Sequence, residues 1–354
     1  MTTLATNRLQ ALDALRGLAA TIVVLFHYVP YYHQLYGHDF EPWDWLAFGR
    51  YGVHLFFMLS GFVILMTLTR TPGPGWFALA RGFRLLPALW AGIAITMTSV
   101  ALLGPTDRAV SLTDALVNMT LLHEYLGLPH VDGAYWSLVI EITFYVWIGL
   151  AFYGLGQGRR LTALLWLWVL ISYVGVVYWR QLPSELEFLV KDLLFVRYAP
   201  LFVSGMLLYR WYQQGPLPWG QLLLLVLAIG HCLMAYRAPF SFFVLGCYGV
   251  FILAIAGRLD WLANAPLLWL GRLSYPFYLV HQNLGYGVIG WSYGQDLPGL
   301  VGVGLALALA LACAWLINVL VERPALRWFQ SRRRARLPER AWPSETVTVQ
   351  TARN

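Results

Sequence analysis

The sequence predicts an all-α integral membrane protein, built as a bundle of about ten transmembrane helices with both termini in the cytoplasm. Its composition is the first observation behind this prediction. Hydrophobic residues make up 59% of the 354 residues, charged residues make up 12%, and the mean hydropathy is +0.60. A soluble domain carries about 25% charged residues, so the composition favours a membrane protein.

Ten apolar segments provide the second observation, because each is long enough for a transmembrane helix of about 20 residues. They cover approximately residues 12–30, 50–68, 86–104, 136–155, 161–179, 193–212, 219–237, 240–257, 268–291 and 297–321. The seventh and eighth segments follow each other almost directly. We expect residues 1–330 to form one transmembrane domain and residues 331–354 to form an Arg-rich, disordered cytoplasmic tail.

The charges of the connecting loops provide the third observation. With the N-terminus inside, the cytoplasmic connections carry Arg70, Arg81, Arg84, Arg159, Arg160, Arg210, Arg258 and the arginines of the tail. Most acidic residues fall in the opposite loops, and this bias fits the positive-inside rule with both termini in the cytoplasm. The basic tail does not indicate nucleic-acid binding, because no nucleic-acid-binding fold accompanies it.

Two ionisable residues, Arg16 and His27, lie inside the first apolar segment. Such groups cost about 2.5–3.5 kcal/mol each at the centre of a membrane helix. They are eleven residues apart, which is close to three helical turns, so they share one face at a separation of roughly 16 Å. This face is predicted to line a polar site rather than to contact lipid.

Further ionisable residues occur in other apolar segments, and the predicted topology sorts all of them by depth. The layer near the cytoplasm contains Arg16, Arg81, Arg84 and Arg272. The layer towards the other side contains His27, Glu141, Arg197 and His281, with the placement of His54 left open. The two layers have different chemistry, since one is cationic and the other combines histidine with a carboxylate.

This division indicates group transfer from a phosphorylated donor. Guanidinium groups pair bidentately with phosphates, so the cationic layer suits the phosphates of a nucleotide cofactor. Histidine gives or takes a proton near neutral pH, and a carboxylate can orient it. Arg81 and Arg84 have the i, i+3 spacing that puts both on one helical face.

Structural interpretations of the same residues stay open beside the functional one. Arg81 and Arg84 flank a helix start, where arginines often anchor a helix at the membrane interface. Arg197 and Arg272 are candidate ion-pair partners of Glu141 or Asp13, and Arg16 can pair with Asp13 at i, i+3. A lone histidine on an apolar helix, His231, is interpreted as a core residue. The histidines of the outer loops lack metal-ligand spacing, so no metal site is predicted.

The longest outer loop covers about residues 105–135. It includes Leu121-Leu122-His123-Glu124-Tyr125-Leu126, a segment that suits a partly buried or interfacial helix. Its length favours a lid or a substrate-contacting element, and a plain connector is an equally good interpretation.

Six motifs in order resemble those of the membrane-bound acyltransferase-3 family, bacterial O-acyltransferases that modify cell-surface glycans and other acceptors. They are Leu12-Asp13-Ala14-Leu15-Arg16-Gly17 with His27; residues 49–62 of the second helix; Arg81-Gly82-Phe83-Arg84-Leu85-Leu86-Pro87; Trp136-Ser137-Leu138 with Glu141 and Phe144-Tyr145; Ser274-Tyr275-Pro276-Phe277-Tyr278-Leu279-Val280-His281; and Glu322-Arg323-Pro324. The resemblance covers nearly the whole chain. His54 departs from the second-helix motif, which often has an acidic residue there, so no role is assigned to it.

The resemblance implies an acyl-CoA donor, most simply acetyl-CoA, on the cytoplasmic side of a bacterial inner membrane. It also implies an acceptor hydroxyl, as on a surface or exported glycan. We expect the donor phosphates to be held by Arg81 and Arg84, with Arg16 and Arg272 as further candidates. We expect His27 to act as general base or transient acyl carrier, and Glu141 to orient an imidazole or handle the acceptor proton. Substrate or structural roles are expected for His281, Arg197, Trp136, Ser137 and Tyr278.

A proton-coupled transporter is the alternative function, because intramembrane His, Glu and Arg residues also mark proton pathways. Against it, the two halves of the sequence show no corresponding pair of interrupted helices. Lipid, acyl-CoA and the acceptor are the expected partners, and the sequence leaves the oligomeric state open.

Overall fold

The computed structural model describes residues 2–336, and these residues contain helices and connections without a single strand. The α-helices are α1 (Thr2–Phe26), α2 (Tyr32–Tyr36), α3 (Gly52–Arg70), α4 (Pro74–Leu103), α5 (Leu112–Asn118), α6 (Trp136–Leu155), α7 (Arg159–Tyr178), α8 (Ser184–Phe188), α9 (Ala199–Gln214), α10 (Trp219–Ala235), α11 (Phe240–Ile255), α12 (Ala265–Tyr293), α13 (Gly299–Ile317) and α14 (Arg323–Arg336). The prediction of an all-α protein is confirmed, and each of the ten predicted segments contains a helix.

Within residues 2–336, six helical stretches are long and apolar enough to cross a membrane by length and composition. They are Leu9–Tyr36, Asp44–Arg70, Pro74–Leu103, Gly133–Leu155, Arg159–Gln181 and Gly299–Arg333. Helices α10 and α11 are apolar but shorter, with 17 and 16 residues. Ten spans, and the side on which each terminus lies, therefore stay predictions.

The C-terminal end differs from the expected boundary at residue 331, because α14 continues as a helix to Arg336. Residues 337–354, which make up most of the predicted disordered tail, lie outside the described residues. The long outer loop also differs in detail. A short helix forms at Leu112–Asn118, and only Glu124–Leu126 is helical in the segment predicted around Leu121.

Proline disrupts the first helix at His27. Pro30 has no backbone N–H and cannot bond to the carbonyl four residues earlier, so regular α-helical bonding is interrupted. The structure accommodates this with a π-helical turn at His27–Tyr31, before the helix resumes at Tyr32. A π-turn widens the helix locally and changes the direction in which His27 points.

Small residues allow α1 and α12 to pack with their backbones in contact. A Cβ atom on Gly17 would lie 2.6 Å from the backbone nitrogen of Gly271, and one on Gly271 would collide with the carbonyl of Asp13. Further along, a Cβ atom on Gly285 would overlap the ring of Tyr28. These glycines are therefore required for the close approach of the two helices, as in small-residue interfaces of membrane proteins.

A similar contact joins α3 to α9. A Cβ atom on Gly61 would collide with the carbonyl of Phe202, and one on Gly205 would collide with the carbonyl of Met58.

We call the end of the bundle at which α1 begins the basal end, and the opposite end the distal end. Helices α1, α4 and α12 run in the same direction, and α3 and α6 run in the other, so residues from all five meet in one region.

Candidate functional site

A pocket opens near the basal end, between α1, α3, α4, α6 and α12. It encloses about 790 Å³ of empty space, partly open to solvent. Its polar lining residues are Arg16, Ser60, Arg81, Arg84, Ser137, Glu141, Tyr145, Ser274, Tyr275 and Tyr278. We call it the arginine pocket.

Three arginines line the arginine pocket, and they differ in how their charges are balanced. Arg84 forms an ion pair with Glu322, which is 2% exposed. Arg16 lies 3.8 Å from Asp13, but that carboxylate is 56% exposed, so water screens the pair. Arg81 forms no ion pair with a described residue, and its Nε atom is buried without a hydrogen-bond partner. The greatest unbalanced positive charge therefore belongs to Arg81.

Glu141 provides the acidic group of the arginine pocket, so it lies with the arginines and not in the histidine layer predicted from the sequence. Its Oε1 atom accepts hydrogen bonds from the hydroxyl of Ser60 and from that of Tyr145, the latter at 2.5 Å. Tyr145 comes from the next turn of the same helix, and Ser60 comes from α3. Neither bond uses Oε2, so this oxygen is available to a molecule in the pocket.

Ser137 and Tyr278 close the inner end of the arginine pocket. Their hydroxyl oxygens are 2.8 Å apart, and each lies 3.1 Å from the carbonyl oxygen of Ala134, so one hydroxyl can donate to that carbonyl while the other donates to its neighbour. Ser137 is 4% exposed and Tyr278 is 6% exposed. The pair thus forms a hydrogen-bonded wall between the pocket and the residues behind it.

His27 and His281 lie behind this wall. Nε2 of His281 is 3.2 Å from Nδ1 of His27, and the ring of Tyr278 is 5.4 Å from that of His281 between centroids. Nδ1 of His281 faces the carbonyl of Tyr278 at 2.8 Å, and Nδ1 of His27 faces the carbonyl of Val23 at 2.9 Å. Both Nδ1 atoms are therefore assigned as donors from this bonding pattern, and Nε2 of His27 is left as a basic nitrogen.

A second polar region lies on the distal side of His27. The guanidinium of Arg108 lies 5.4 Å from the ring centroid of Tyr286, and the ring of Tyr31 is 5.7 Å from that of His27. Gln282 donates to the hydroxyl of Tyr286 at 3.3 Å, and its buried Oε1 has no partner. An unpartnered buried amide oxygen suits a hydroxyl donor.

Asp132 anchors the loop that leads into α6 beside this region. Its carboxylate accepts from the backbone of Ala134 and of Asn283, each at 3.0 Å, and it is fully buried. Burial raises the pKa of Asp132 to about 6, while the two backbone hydrogen bonds and the charge of Arg108 oppose this shift. The carboxyl therefore joins the long loop to α12 next to His281.

The structure brings most of the predicted site residues together. Arg16, Arg81, Arg84, Glu141, Ser137 and Tyr278 line the arginine pocket, and His27 and His281 lie directly behind its wall. Trp136 lies beside this region, with its ring 6.1 Å from that of Phe57 and 5.4 Å from that of Tyr198.

The other predicted residues lie elsewhere. Arg272 is exposed on α12 and does not line the arginine pocket. Arg197 is exposed as well, and its guanidinium lies 4.9 Å from the ring centroid of Tyr236. His54 is buried against the ring of Tyr236, 4.7 Å away between centroids, and His231 is a core residue that faces the carbonyl of Ser172 at 3.3 Å.

Several residues in and around the arginine pocket were not singled out as site residues from the sequence. Tyr145 belongs to the recognised motif of Glu141 and follows it by four residues, a helical spacing at which its hydroxyl can reach the carboxylate. Glu322 belongs to a motif that was recognised, but nothing in the sequence places it against Arg84. The contacts of Ser60 with Glu141, and of Arg108 with Tyr286, join distant parts of the chain and have no local signal.

The comparisons with known proteins bear on this geometry. A family model described as an acyltransferase domain, acyltransferase-3, matches residues 9–319. The chain belongs to the acyltransferase-3 family. The match includes every residue that lines the arginine pocket, and also His27 and His281, while Glu322 falls just beyond it. Several apolar helices long enough to span a bilayer agree with a membrane protein of this family.

A relative in this comparison is BcsY of Komagataeibacter xylinus, which is named as a membrane-bound transacylase by inference. It is 31% identical over 153 residues, which make up 39% of this chain and 36% of that protein. The aligned part thus spans about a third of the relative's length. None of the solved structures matches the chain.

Proposed function

We propose that this protein transfers an acyl group from cytoplasmic acyl-CoA, most simply acetyl-CoA, to a hydroxyl of a surface or exported glycan or a similar acceptor. One observation carries the proposal. A single pocket joins an unbalanced guanidinium, Arg81, to a carboxylate, Glu141, and ends at a wall directly in front of paired imidazoles. Membership of the acyltransferase-3 family supports acyl transfer as the reaction.

The donor enters from the basal end in this proposal, which the positive-inside rule assigns to the cytoplasm of the bacterial inner membrane. Arg81 binds a phosphate of CoA, because its charge lacks a carboxylate partner among the described residues. Arg16 adds a second, partly screened charge. Arg84 is held by Glu322 and shapes the pocket, so its contribution to phosphate binding is smaller.

The acceptor binds on the distal side of His27, between Tyr31, Arg108 and Gln282. Tyrosine rings and an arginine provide stacking and hydrogen bonds to a sugar, and the free Oε1 of Gln282 accepts from a hydroxyl. This arrangement leaves His27 between the donor pocket and the acceptor. The Ser137–Tyr278 wall opens to let the thioester arm reach it.

The chemical step then uses His27 as general base. Nε2 of His27 takes the proton of the acceptor hydroxyl, whose oxygen attacks the thioester carbonyl carbon and forms a C–O bond. The C–S bond breaks, and the CoA thiolate takes the proton back from the imidazolium. The carbonyl of Val23 and Nε2 of His281 both face Nδ1 of His27, and they hold its ring in place during the step. The products are an ester and the free thiol of CoA.

Binding of acetyl-CoA to the purified protein tests the proposal. We expect saturable binding that weakens by about tenfold or more in Arg81→Gln, because a charge-assisted bond to phosphate is lost. Arg258→Gln is the matched control, since Arg258 is exposed and lies outside the pocket. Failure of the wild-type protein to bind acetyl-CoA would contradict the proposal and favour a proton-coupled transporter.

A further inference from the structure

A second pocket adjoins the arginine pocket at the basal end, where α3 ends, α4 begins and α14 covers both. It encloses about 560 Å³ of empty space, partly open to solvent. Its lining includes Arg70 and Thr71 from the end of α3, Trp76 and Arg81 from α4, and Phe329 and Arg333 from α14. We call it the α14 pocket. It shares Arg81 with the arginine pocket.

The charged residues that line the α14 pocket are all positive. Three guanidinium groups line it, and none of its lining residues is acidic. Arg70 and Arg81 form no ion pair with another described residue. The positive charges of Arg70 and Arg81 face one cavity and repel each other, so an anion with several oxygens stabilises the arrangement, and phosphate groups match the guanidinium geometry.

The aromatic residues of the α14 pocket indicate more than a bare phosphate. The rings of Trp76 and Phe329 are 6.1 Å apart between centroids, and Phe329 is fixed by stacking on Phe83 at 5.3 Å. Trp76 is partly exposed and lines the pocket. Such a ring suits a flat heterocycle, which stacks on tryptophan.

We propose that the α14 pocket binds the nucleotide end of the acyl-CoA donor, with its phosphates on Arg70, Arg81 and Arg333 and its base against Trp76. This inference rests on the proposed function. Because Arg81 lines both pockets, one extended ligand can occupy both, with its nucleotide under α14 and its thioester arm in the arginine pocket. Helix α14 is thereby a wall of the donor site, beyond the region that the family model matches.

Binding of 3′,5′-ADP and of acetyl-CoA to the full-length protein in phosphatidylcholine nanodiscs tests this assignment. We expect Arg70→Gln and Arg333→Gln each to weaken both ligands by about tenfold, since each removes a charge-assisted phosphate contact. Arg332→Gln is the matched control on the same helix, because Arg332 is exposed and its guanidinium lies over Trp328 instead. Unchanged size-exclusion and thermal-unfolding profiles establish that the variants fold.

A truncated donor separates this inference from the proposed function. Acetyl-pantetheine lacks the nucleotide, so Arg70→Gln and Arg333→Gln should leave the rate of acyl transfer from it unchanged. Binding of acetyl-CoA that depends on Arg81 but not on Arg70 or Arg333 would overturn the α14 assignment alone. Failure of the wild-type protein to bind acetyl-CoA would overturn both proposals.

An anionic lipid headgroup also contains a phosphate group. A second pair of measurements distinguishes binding of such a lipid from binding of the nucleotide. Nanodiscs that contain phosphatidylglycerol should weaken 3′,5′-ADP binding little if the pocket takes the nucleotide. Strong competition by phosphatidylglycerol that is lost in Arg333→Gln, without nucleotide binding, would assign the pocket to lipid and contradict the proposal.

Discussion

Nε2 of His281 lies 3.2 Å from Nδ1 of His27, whose proton also faces the carbonyl of Val23 at 2.9 Å, while Nδ1 of His281 donates to the carbonyl of Tyr278 at 2.8 Å. The two imidazoles therefore have different roles. His281 is fixed in one tautomer by the carbonyl of Tyr278, and Val23 and His281 together fix the tautomer of His27. Only Nε2 of His27 is left free to take a proton.

Replacing His27 with Ala should abolish acyl transfer, a loss of about 10²–10⁴-fold for a general base. His281→Gln should lower the rate less, because its side chain only orients His27. Transfer to an acceptor by the purified variants, with radiolabelled acetyl-CoA, measures both effects. His231→Gln is the matched control, a core histidine away from the pocket. Full activity of His27→Ala would rule out the catalytic assignment.

Glu141→Gln should lower the transfer rate by about 10²-fold while acetyl-CoA still binds, because the neutral amide is a weaker acceptor than the carboxylate and positions the thioester arm less well for His27. The amide oxygen can still accept from Ser60 and Tyr145, so the protein should fold. Turnover and donor binding measured on the same preparation separate the two effects. Equal losses of binding and turnover would show instead that Glu141 only shapes the donor pocket.

Glu322→Gln should reduce the free energy of unfolding by roughly 3 kcal/mol, because the charge of Arg84 is left without its partner in a mostly buried site. Asn318 also donates to Glu322 at 2.8 Å, so a second contact weakens. Thermal unfolding in detergent measures the loss. Asp13→Asn is the control, since its exposed pair with Arg16 should contribute less than about 1 kcal/mol. Equal stability of the two variants would contradict a structural role for the buried pair.

Arg108→Gln should raise the KM for the acceptor and leave the affinity for acetyl-CoA unchanged, because Arg108 lies on the distal side of His27. Arg180→Gln offers a control from another connection, where the guanidinium lies over Trp179. Steady-state kinetics with each substrate varied in turn provide the measurement. A change in donor affinity, with an unchanged KM for the acceptor, would place Arg108 outside the acceptor site.

Acid should destabilise the protein through the buried His123–His130 pair of the long loop. Nε2 of His123 is 2.7 Å from Nδ1 of His130, and burial lowers the pKa of His123 to about 4. The unfolded chain takes up this proton near pH 6.5, so the stabilisation is complete above that pH and is lost as the pH falls towards 4.

Melting temperatures between pH 7 and pH 5 measure this effect. The wild-type protein should lose more stability over this range than His123→Gln, which has no proton to take up at that position. Parallel curves for the two proteins would show that other groups dominate the acid sensitivity.

The long apolar segments were predictable because a helix needs a minimum length to cross the bilayer. A run of apolar residues of that length is visible in the local sequence alone. The two-layer arrangement was predicted from position along each helix, since depth follows from that position. Glu141 departs from it, because it lines the arginine pocket with Arg16 instead of lying with His27. Their shared pocket still depends on how the helices pack.

Contacts between distant segments were not predictable from the sequence. Depth grouped Arg272 with Arg16, but rotation about the axis of α12 leaves Arg272 exposed. The pairing of Arg84 with Glu322 depends on how α4 packs against the turn after α13, which a single sequence does not specify. The π-turn at His27 follows from Pro30, yet the direction in which it turns the imidazole requires the packed structure.

The glycine contacts between α1 and α12 restrict where the protein can move. Gly17 and Gly271 lock the two helices together near Arg16, and Gly285 locks them again beside Tyr28. His27 and His281 lie on these two packed helical segments. Neither helix can slide along the other without breaking the close contacts at these glycines. Any rearrangement that admits a substrate must therefore come from α3, α4 and α6, and the helices that carry His27 and His281 serve as its stationary frame.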